Sequence, residues 1–255
     1  MFLKLMEQSG IEPNFFCSDE YFEKAEFEEF EDGSFCWIEY EGELMFPPLP
    51  LFGFDFGRQK KIWLGLEGLD IPTGWEKVFF DFEFIYCPKN FLNLEGGKWQ
   101  TFRKNIRKFP KRYHKQTVYY DSRVFVPTEE EIMKLFVSWM DKDPETSLHD
   151  PDIILNYLLE GDNRGFLIDE DGGLLGINCW DYNWKFINFR FCFHDSSFPF
   201  LSEYLRYLFY TNESILNDGR LVNDGGSLDS PELYTFKSKL NPIKIRKMYG
   251  WRKYE

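Results

Sequence analysis

The chain is 255 residues long, carries a formal net charge of −13 and is 20% aromatic, with 29 Phe. That length fits one large domain or two of about 125 residues, either able to bury a sizeable core, and so much apolar surface excludes disorder as the default state. No basic-plus-apolar signal segment opens the sequence and no apolar run approaches the roughly 20 residues that span a bilayer, so a cytoplasmic protein is expected.

The N-terminal 50 residues hold 13 acidic and 2 basic side chains, an acidic head. Within it, Asp19 to Phe30 (DEYFEKAEFEEF) sets Tyr21, Phe22, Phe27 and Phe30 among acids and reads as a helix with a solvated charged face. FCWIEYEGELMF, residues 35–46, reads as two short strands joined at Glu41-Gly42. PPLP at 47–50 breaks regular structure, residues 58–68 suit a short helix, and VFFDFEFIYC at 78–87 is a strongly β-prone run. Next comes a basic band: Lys98 to Lys115 contains eight Lys or Arg and no acid. Trp99, Phe102, Ile106 and Phe109 fall at i, i+3, i+7 and i+10, one face of a helix that Pro110 ends, with Arg103, Lys104, Arg107, Lys108 and Lys111 on its other sides.

From residue 117 the pattern is regular. A strand over 117–126 leads to a helix with the capping box Thr128-x-x-Glu131, and a second helix starts near Pro151. Strands GFLIDE, LLGINCWDY and WKFINFRFCF follow, the first two joined at Asp171-Gly172-Gly173. A helix with Leu201, Tyr204, Leu205, Leu208 and Phe209 on one face comes next. Strand RLVND, helix PELYTFKSKL and strand PIKIRKMY close the chain. The order is β-α-α-β-β-β-α-β-α-β.

Two internal matches suggest duplication. CWIEYEGELM (36–45) aligns with FLIDEDGGLL (166–175), and WQTFRK (99–104) with LYTFKS (233–238), at offsets of 130 and 134 residues. Two matches in one order at nearly one offset point to a repeat. The expected division is a degenerate N-terminal copy, residues 1–115, ending in the basic helix, and a C-terminal copy, residues 116–255.

The element order of 117–250 resembles the GNAT acyltransferase fold. WQTFRKNIRKFPKRY (99–113) is similar, at Arg103, Lys104, Asn105, Ile106 and Phe109, to the basic helix of the tandem-GNAT family that includes the C-terminal domain of phosphatidylglycerol lysyltransferases. VNDGGSLDSPELYTFKSKLNP (222–242) resembles that family's closing segment and, more loosely, that of FemAB-type aminoacyltransferases. The resemblance implies an α/β (α+β) protein of two fused GNAT-like domains with mixed sheets, the first reduced. It also implies transfer of an acyl group from acyl-CoA, or an aminoacyl group from tRNA, onto an amine or hydroxyl. A GNAT-fold binding or inhibitory protein without catalysis is the rival reading.

The GNAT acyl-CoA signature is a Gly-bearing turn before a helix, whose N–H groups cradle pyrophosphate. Here that place holds Phe193-His194-Asp195-Ser196-Ser197-Phe198-Pro199, with no Gly, so Ser196 or Ser197 serves either as a phosphate cradle or as a plain helix cap. Asn223-Asp224-Gly225-Gly226 ends a strand where α/β proteins hold ligands. Asp224 is the expected base or acceptor orienter and Asn223 the carbonyl holder, against the simpler reading of turn chemistry. Lys237 either reaches a ligand anion or snorkels. Tyr234 either acts as general acid or packs. The 98–112 helix has three readings: phosphates of tRNA or a lipid headgroup, pairing with the acidic head, or solvation. The histidines (114, 149, 194) and the scattered, odd-numbered cysteines (17, 36, 87, 179, 192) lack ligand spacing, so no metal is expected.

Overall fold

The acidic N-terminal segment is fixed by its rings. In the computed structural model, which describes residues 1–140 and 151–254, α1 (Phe2–Gln8) buries Phe2 and Met6. Ser18 caps α2 (Asp19–Lys24), accepting the Tyr21 N–H. The helix expected to run to Phe30 stops there. Glu26 takes φ 55°, and β1 (Glu28–Glu31) pairs antiparallel with β2 (Cys36–Tyr40). Sheet pairing here overrides the helix propensity of a Glu-rich run. The hairpin to β3 (Glu43–Leu44) forms as expected, with Glu41 and Gly42 at φ 52° and 77°, the positive values a type I′ turn needs. Residues 58–68 make turns and the short β4 (Lys61–Ile62) instead of a helix. Gly65 packs so tightly that a Cβ would lie 2.5 Å from the Trp251 indole nitrogen.

Strand β5 (Trp75–Tyr86) passes from one compact unit of the chain into another. The first unit comprises Met1–Glu83, Tyr182–Lys185 and Ile245–Glu255; the second comprises Phe84–Asp181 and Phe186–Lys244. This spatial division differs from a cut at residue 115, because 84–115 pack inside the second unit.

In the second unit, α3 (Asn90–Asn93) and a 3₁₀ turn at Gly97–Trp99 lead into α4 (Gln100–Ile106) and α5 (Lys108–Arg112). Trp99, Phe102, Ile106 and Phe109 are all buried, as the spacing predicts. Pro110 lies inside α5 rather than ending the helix, because the first turn does not need its N–H. β6 (Thr117–Asp121) is shorter than the expected strand. The capping box of α6 (Glu129–Met140) is made, with the Glu131 carboxylate accepting the Thr128 N–H at 2.9 Å. Then follow α7 (Pro151–Glu160), β7 (Asn163–Asp169), β8 (Leu174–Tyr182), β9 (Phe186–His194), α8 (Leu201–Tyr210), α9 (Glu213–Asp218), β10 (Leu221–Asn223) and α10 (Pro231–Lys239). The sequence reading missed α9. Last, β11 (Lys244–Lys253) returns the chain to the first unit.

The described strands belong to one 11-stranded mixed sheet rather than two, in the order β1-β2-β3-β4-β11-β5-β10-β9-β8-β7-β6. Within it β3 and β4 are parallel, and β10 is parallel to β9 and antiparallel to β5. Rings fill both cores; Phe91 stacks on Tyr210 with centroids 3.9 Å apart. Among the described residues no helix is long and apolar enough to cross a membrane.

Candidate functional site

The second unit's strands part at the end of β10. The β9–β10 ladder has three pairs and ends at Asn188 opposite Asn223, while β9 continues to His194. The β10 chain instead stays with β5, through Asp224 N–H to Phe84 O and Phe84 N–H to Gly225 O. The strands therefore part beside Asn223 and Asp224.

Both side chains are shut in at that point. Asn223 is fully buried and its side-chain oxygen accepts the Gly225 N–H at 3.0 Å, which is turn chemistry. Asp224 is 2% exposed. One of its oxygens takes the Arg206 guanidinium and, at 3.3 Å, the Tyr210 hydroxyl; the other faces the Lys237 ammonium at 3.3 Å. Lys237 also donates to the carbonyls of Asp224 and, at 2.7 Å, Gly226. The Arg206 guanidinium lies over the rings of Phe189 and Phe236, at 5.0 and 5.4 Å. Burial is the largest single influence and opposes its charge, but the Asp224 carboxylate together with Cys192, Tyr210 and Tyr86 outweighs burial and raises its pKa. Burial, then Asp224, pushes the Tyr210 pKa far up. This geometry corrects three expectations. Asp224 offers no free oxygen to an acceptor and Lys237 no ammonium to a ligand, because both are spent on the cluster, and the Asn223 side-chain oxygen is taken by the Gly225 N–H. Tyr234 is half-buried against Phe84, ring centroids 5.4 Å apart.

The turn before α8 places neither serine at the helix cap. The helix starts at Leu201, not at Ser196 or Ser197, and Phe200 occupies the cap position at φ 70° with no side-chain cap. Ser196 and Ser197 are exposed, and the Ser197 N–H already donates to Asp195 at 2.8 Å.

The concavity lies next to the cluster. A cleft of about 710 Å³ opens between α4, α8 and α10. Phe102, Phe236 and Leu240 supply its apolar surface. Its charges are sorted. The Asn241 amide donates to the backbone carbonyls of Lys98 and Lys239, so the start of α4 and the end of α10 meet, and both lysines line the cleft there. At the far end of α4, about 10 Å along the axis at 1.5 Å per residue, Asn105 donates to Glu203 at 3.0 Å. Glu232 lines the cleft at the opposite end of α10 from Lys239. The helices framing the cleft are the pair matched by the WQTFRK/LYTFKS alignment. Asn105 entered the sequence reading only through the family resemblance, whereas Glu203, Glu232 and Lys239 carried no signal, since an exposed charge on a helix is the ordinary case.

Outside the cleft, the basic band keeps its charge. Arg103 donates to the Leu94 and Gly96 carbonyls, closing the preceding loop, and Lys108 rests 4.0 Å above the Phe200 ring. Lys104 and Arg107 are exposed. None of these four makes an ion pair with a described residue. His114 is exposed, His194 half-buried, and His149 lies outside the described residues. No cluster of metal-ligating side chains occurs among the described residues.

Solved structures that share this fold include a conserved protein of unknown function from Bacteroides thetaiotaomicron (TM-score 0.57, 17% identity, 72% of this chain and 64% of that one). L-PGS from Bacillus licheniformis gives 0.53 at 15% identity, over 71% of this chain and 62% of its own. The C-terminal domain of a putative lysylphosphatidylglycerol synthetase from Agrobacterium fabrum gives 0.52 at 16%, over 71% and 63%. The chain thus spans just under two thirds of the length of each. No protein-family model and no curated protein sequence matches it. At these identities the likeness establishes the fold alone, which is mixed α+β.

Proposed function

We propose that the chain transfers an aminoacyl group from a phosphate-bearing carrier such as tRNA onto an amine or hydroxyl acceptor, in the cleft between α4, α8 and α10. The observation that carries this reading is the sorting of charge in that cleft. An aminoacyl ester has an ammonium on one side of its carbonyl and phosphates on the other. Glu203 and Glu232 complement the first, Lys98 and Lys239 the second. An acetyl group would bring nothing to Glu203, and the Gly-free turn before α8 adds no support for acyl-CoA. The fold shared with L-PGS and with a putative lysylphosphatidylglycerol synthetase domain supports the reaction class and makes a lysyl donor and a phosphatidylglycerol acceptor the first pair to test.

Positioning is the chain's main contribution. Glu203, fixed by Asn105, orients the ammonium. The acceptor oxygen or nitrogen attacks the ester carbonyl, the bond to the carrier oxygen breaks, and the acceptor proton ends on that oxygen. Glu232, exposed at the cleft edge, is placed to relay it. The exposed cations Lys104 and Arg107 on the outer face of α4 meet the carrier's phosphates, so binding should weaken as salt rises.

The test incubates the purified chain with lysyl-tRNA and phosphatidylglycerol vesicles, and separately with acetyl-CoA and amine acceptors, with products read by mass spectrometry. A lysylated product that Glu203→Gln abolishes is expected. Acetyl transfer alone, or stabilisation by charged tRNA with no product from any acceptor, contradicts the proposal; the second outcome favours a binding protein.

A further inference from the structure

The first unit contains a second concavity that the transfer reading does not use: a groove of about 560 Å³ between the β2–β3 hairpin and the loop 54–61. Trp37, Phe54 and Phe56 form its apolar wall, braced by edge-on contacts between Trp37 and Phe54 at 5.5 Å and between Phe54 and Phe56 at 5.3 Å. Two of its carboxylates are fixed by indoles. The Trp37 Nε1–H donates to Glu39 at 2.8 Å, and the Trp63 Nε1–H donates to Glu43 at 2.5 Å. Each donation occupies one oxygen and leaves the other for a ligand. Gln59 ties the loop to the hairpin through the Gly42 carbonyl at 3.1 Å.

The arrangement of charge identifies the ligand class. Three carboxylates (Glu39, Glu43, Asp55) and three cations (Arg58, Lys60, Lys61) line the groove, and no ion pair joins any of them. The hairpin supplies Glu39 and Glu43, Asp55 shares a loop with Arg58 and Lys60, and the Lys61 ammonium, resting 2.8 Å above the Trp63 ring, feels the Glu43 carboxylate beside it. A polyanion would meet three carboxylates and a polycation three cations. A neutral polyol suits both signs, because each hydroxyl is at once donor and acceptor and can bridge a carboxylate to a cation. Its C–H faces suit the aromatic wall, and the volume falls within the range of small-molecule sites.

We infer that this groove binds a neutral saccharide of about two rings, stacked on the Trp37–Phe54–Phe56 wall and hydrogen-bonded by Glu39, Glu43, Asp55 and Arg58. The inference is independent of the transfer proposal, so either can fail alone. The test titrates the whole chain with maltose, cellobiose, lactose and N,N′-diacetylchitobiose by calorimetry and tryptophan fluorescence, with free lysine and an eight-residue oligothymidylate as charged controls. At least one disaccharide should bind, and Arg58→Ala and Asp55→Asn, both surface changes, should each weaken it at least about fivefold with the circular dichroism unchanged. Phe54→Ala should abolish binding; if that variant unfolds, the two surface variants decide. Binding of none of the four disaccharides, binding indifferent to Arg58 and Asp55, or preferential binding of lysine or the oligonucleotide overturns the inference.

Discussion

The two concavities are lined by similar side chains and differ in how those side chains are ordered. In the second unit, helix geometry separates the signs that line the cleft: the seven-residue steps from Lys98 to Asn105 and from Glu232 to Lys239 put the two lysines at one end and the carboxylate contacts at the other. In the first unit Asp55 shares a loop with Arg58 and Lys60, and Lys61 adjoins Glu43, so both signs meet in one groove. Support differs as well. The cleft is backed by the buried Arg206–Asp224–Lys237 cluster, one helical turn from Glu203 and adjacent in sequence to Phe236. The groove rests on aromatic contacts and on indole–carboxylate bonds near the surface. Composition alone therefore does not define a ligand; the spatial order of charge does.

The largest effect that would break this contrast is on stability. Removing one partner of a buried ion pair leaves the other uncompensated and costs about 3–5 kcal/mol. Arg206→Ala and Asp224→Ala should each lower the unfolding free energy read from urea titration by that order, while Arg58→Ala, at the exposed groove, should change it by less than about 0.5 kcal/mol. Equal shifts would mean that the cluster does not support the cleft. Next in size is donor binding. Lys98→Ala combined with Lys239→Ala should weaken charged-tRNA binding by at least about tenfold and flatten its salt dependence, and should leave disaccharide binding unchanged. A parallel loss of both would merge the two sites into one nonspecific surface.

Smaller still is an acid effect at the hairpin of the second unit. Burial would push the Asp169 carboxyl up, but the Tyr113 hydroxyl and the Gly173 and Asp171 N–H groups outweigh it and hold the pKa below the usual carboxylate value. Its stabilisation is therefore present above the unfolded value near 3.8 and is lost as pH falls through the lower folded value. Asp169→Asn should flatten the acid limb of a stability–pH curve and change little at pH 7.

Much of the second unit was legible because its periodicities are long. The 3.6-residue spacing of Trp99, Phe102, Ile106 and Phe109, the Thr128 capping box and the apolar runs of β7 and β8 all carry local signals. The role of Asp224 was not legible, because its partners Arg206 and Tyr210 lie 18 and 14 residues away on another helix, and no local pattern tells a buried carboxylate from one facing a cleft. In the first unit, residues 28–30 read as helix because propensity ignores the partner strand, and 58–68 read as helix although Gly57 and Gly68 at its ends take φ 49° and 95°. The cleft charges escaped notice for the converse reason: each looks like an ordinary solvated residue until α4 and α10 are brought together.

The most direct test of the central claim is the rate of aminoacyl transfer in Glu203→Gln beside the wild-type chain, both with matched thermal melting. The account predicts a fall of about 100-fold or more, since the glutamine keeps the shape and the Asn105 contact but not the charge that holds the ammonium. Wild-type rates in Glu203→Gln would contradict it and place the chemistry outside this cleft.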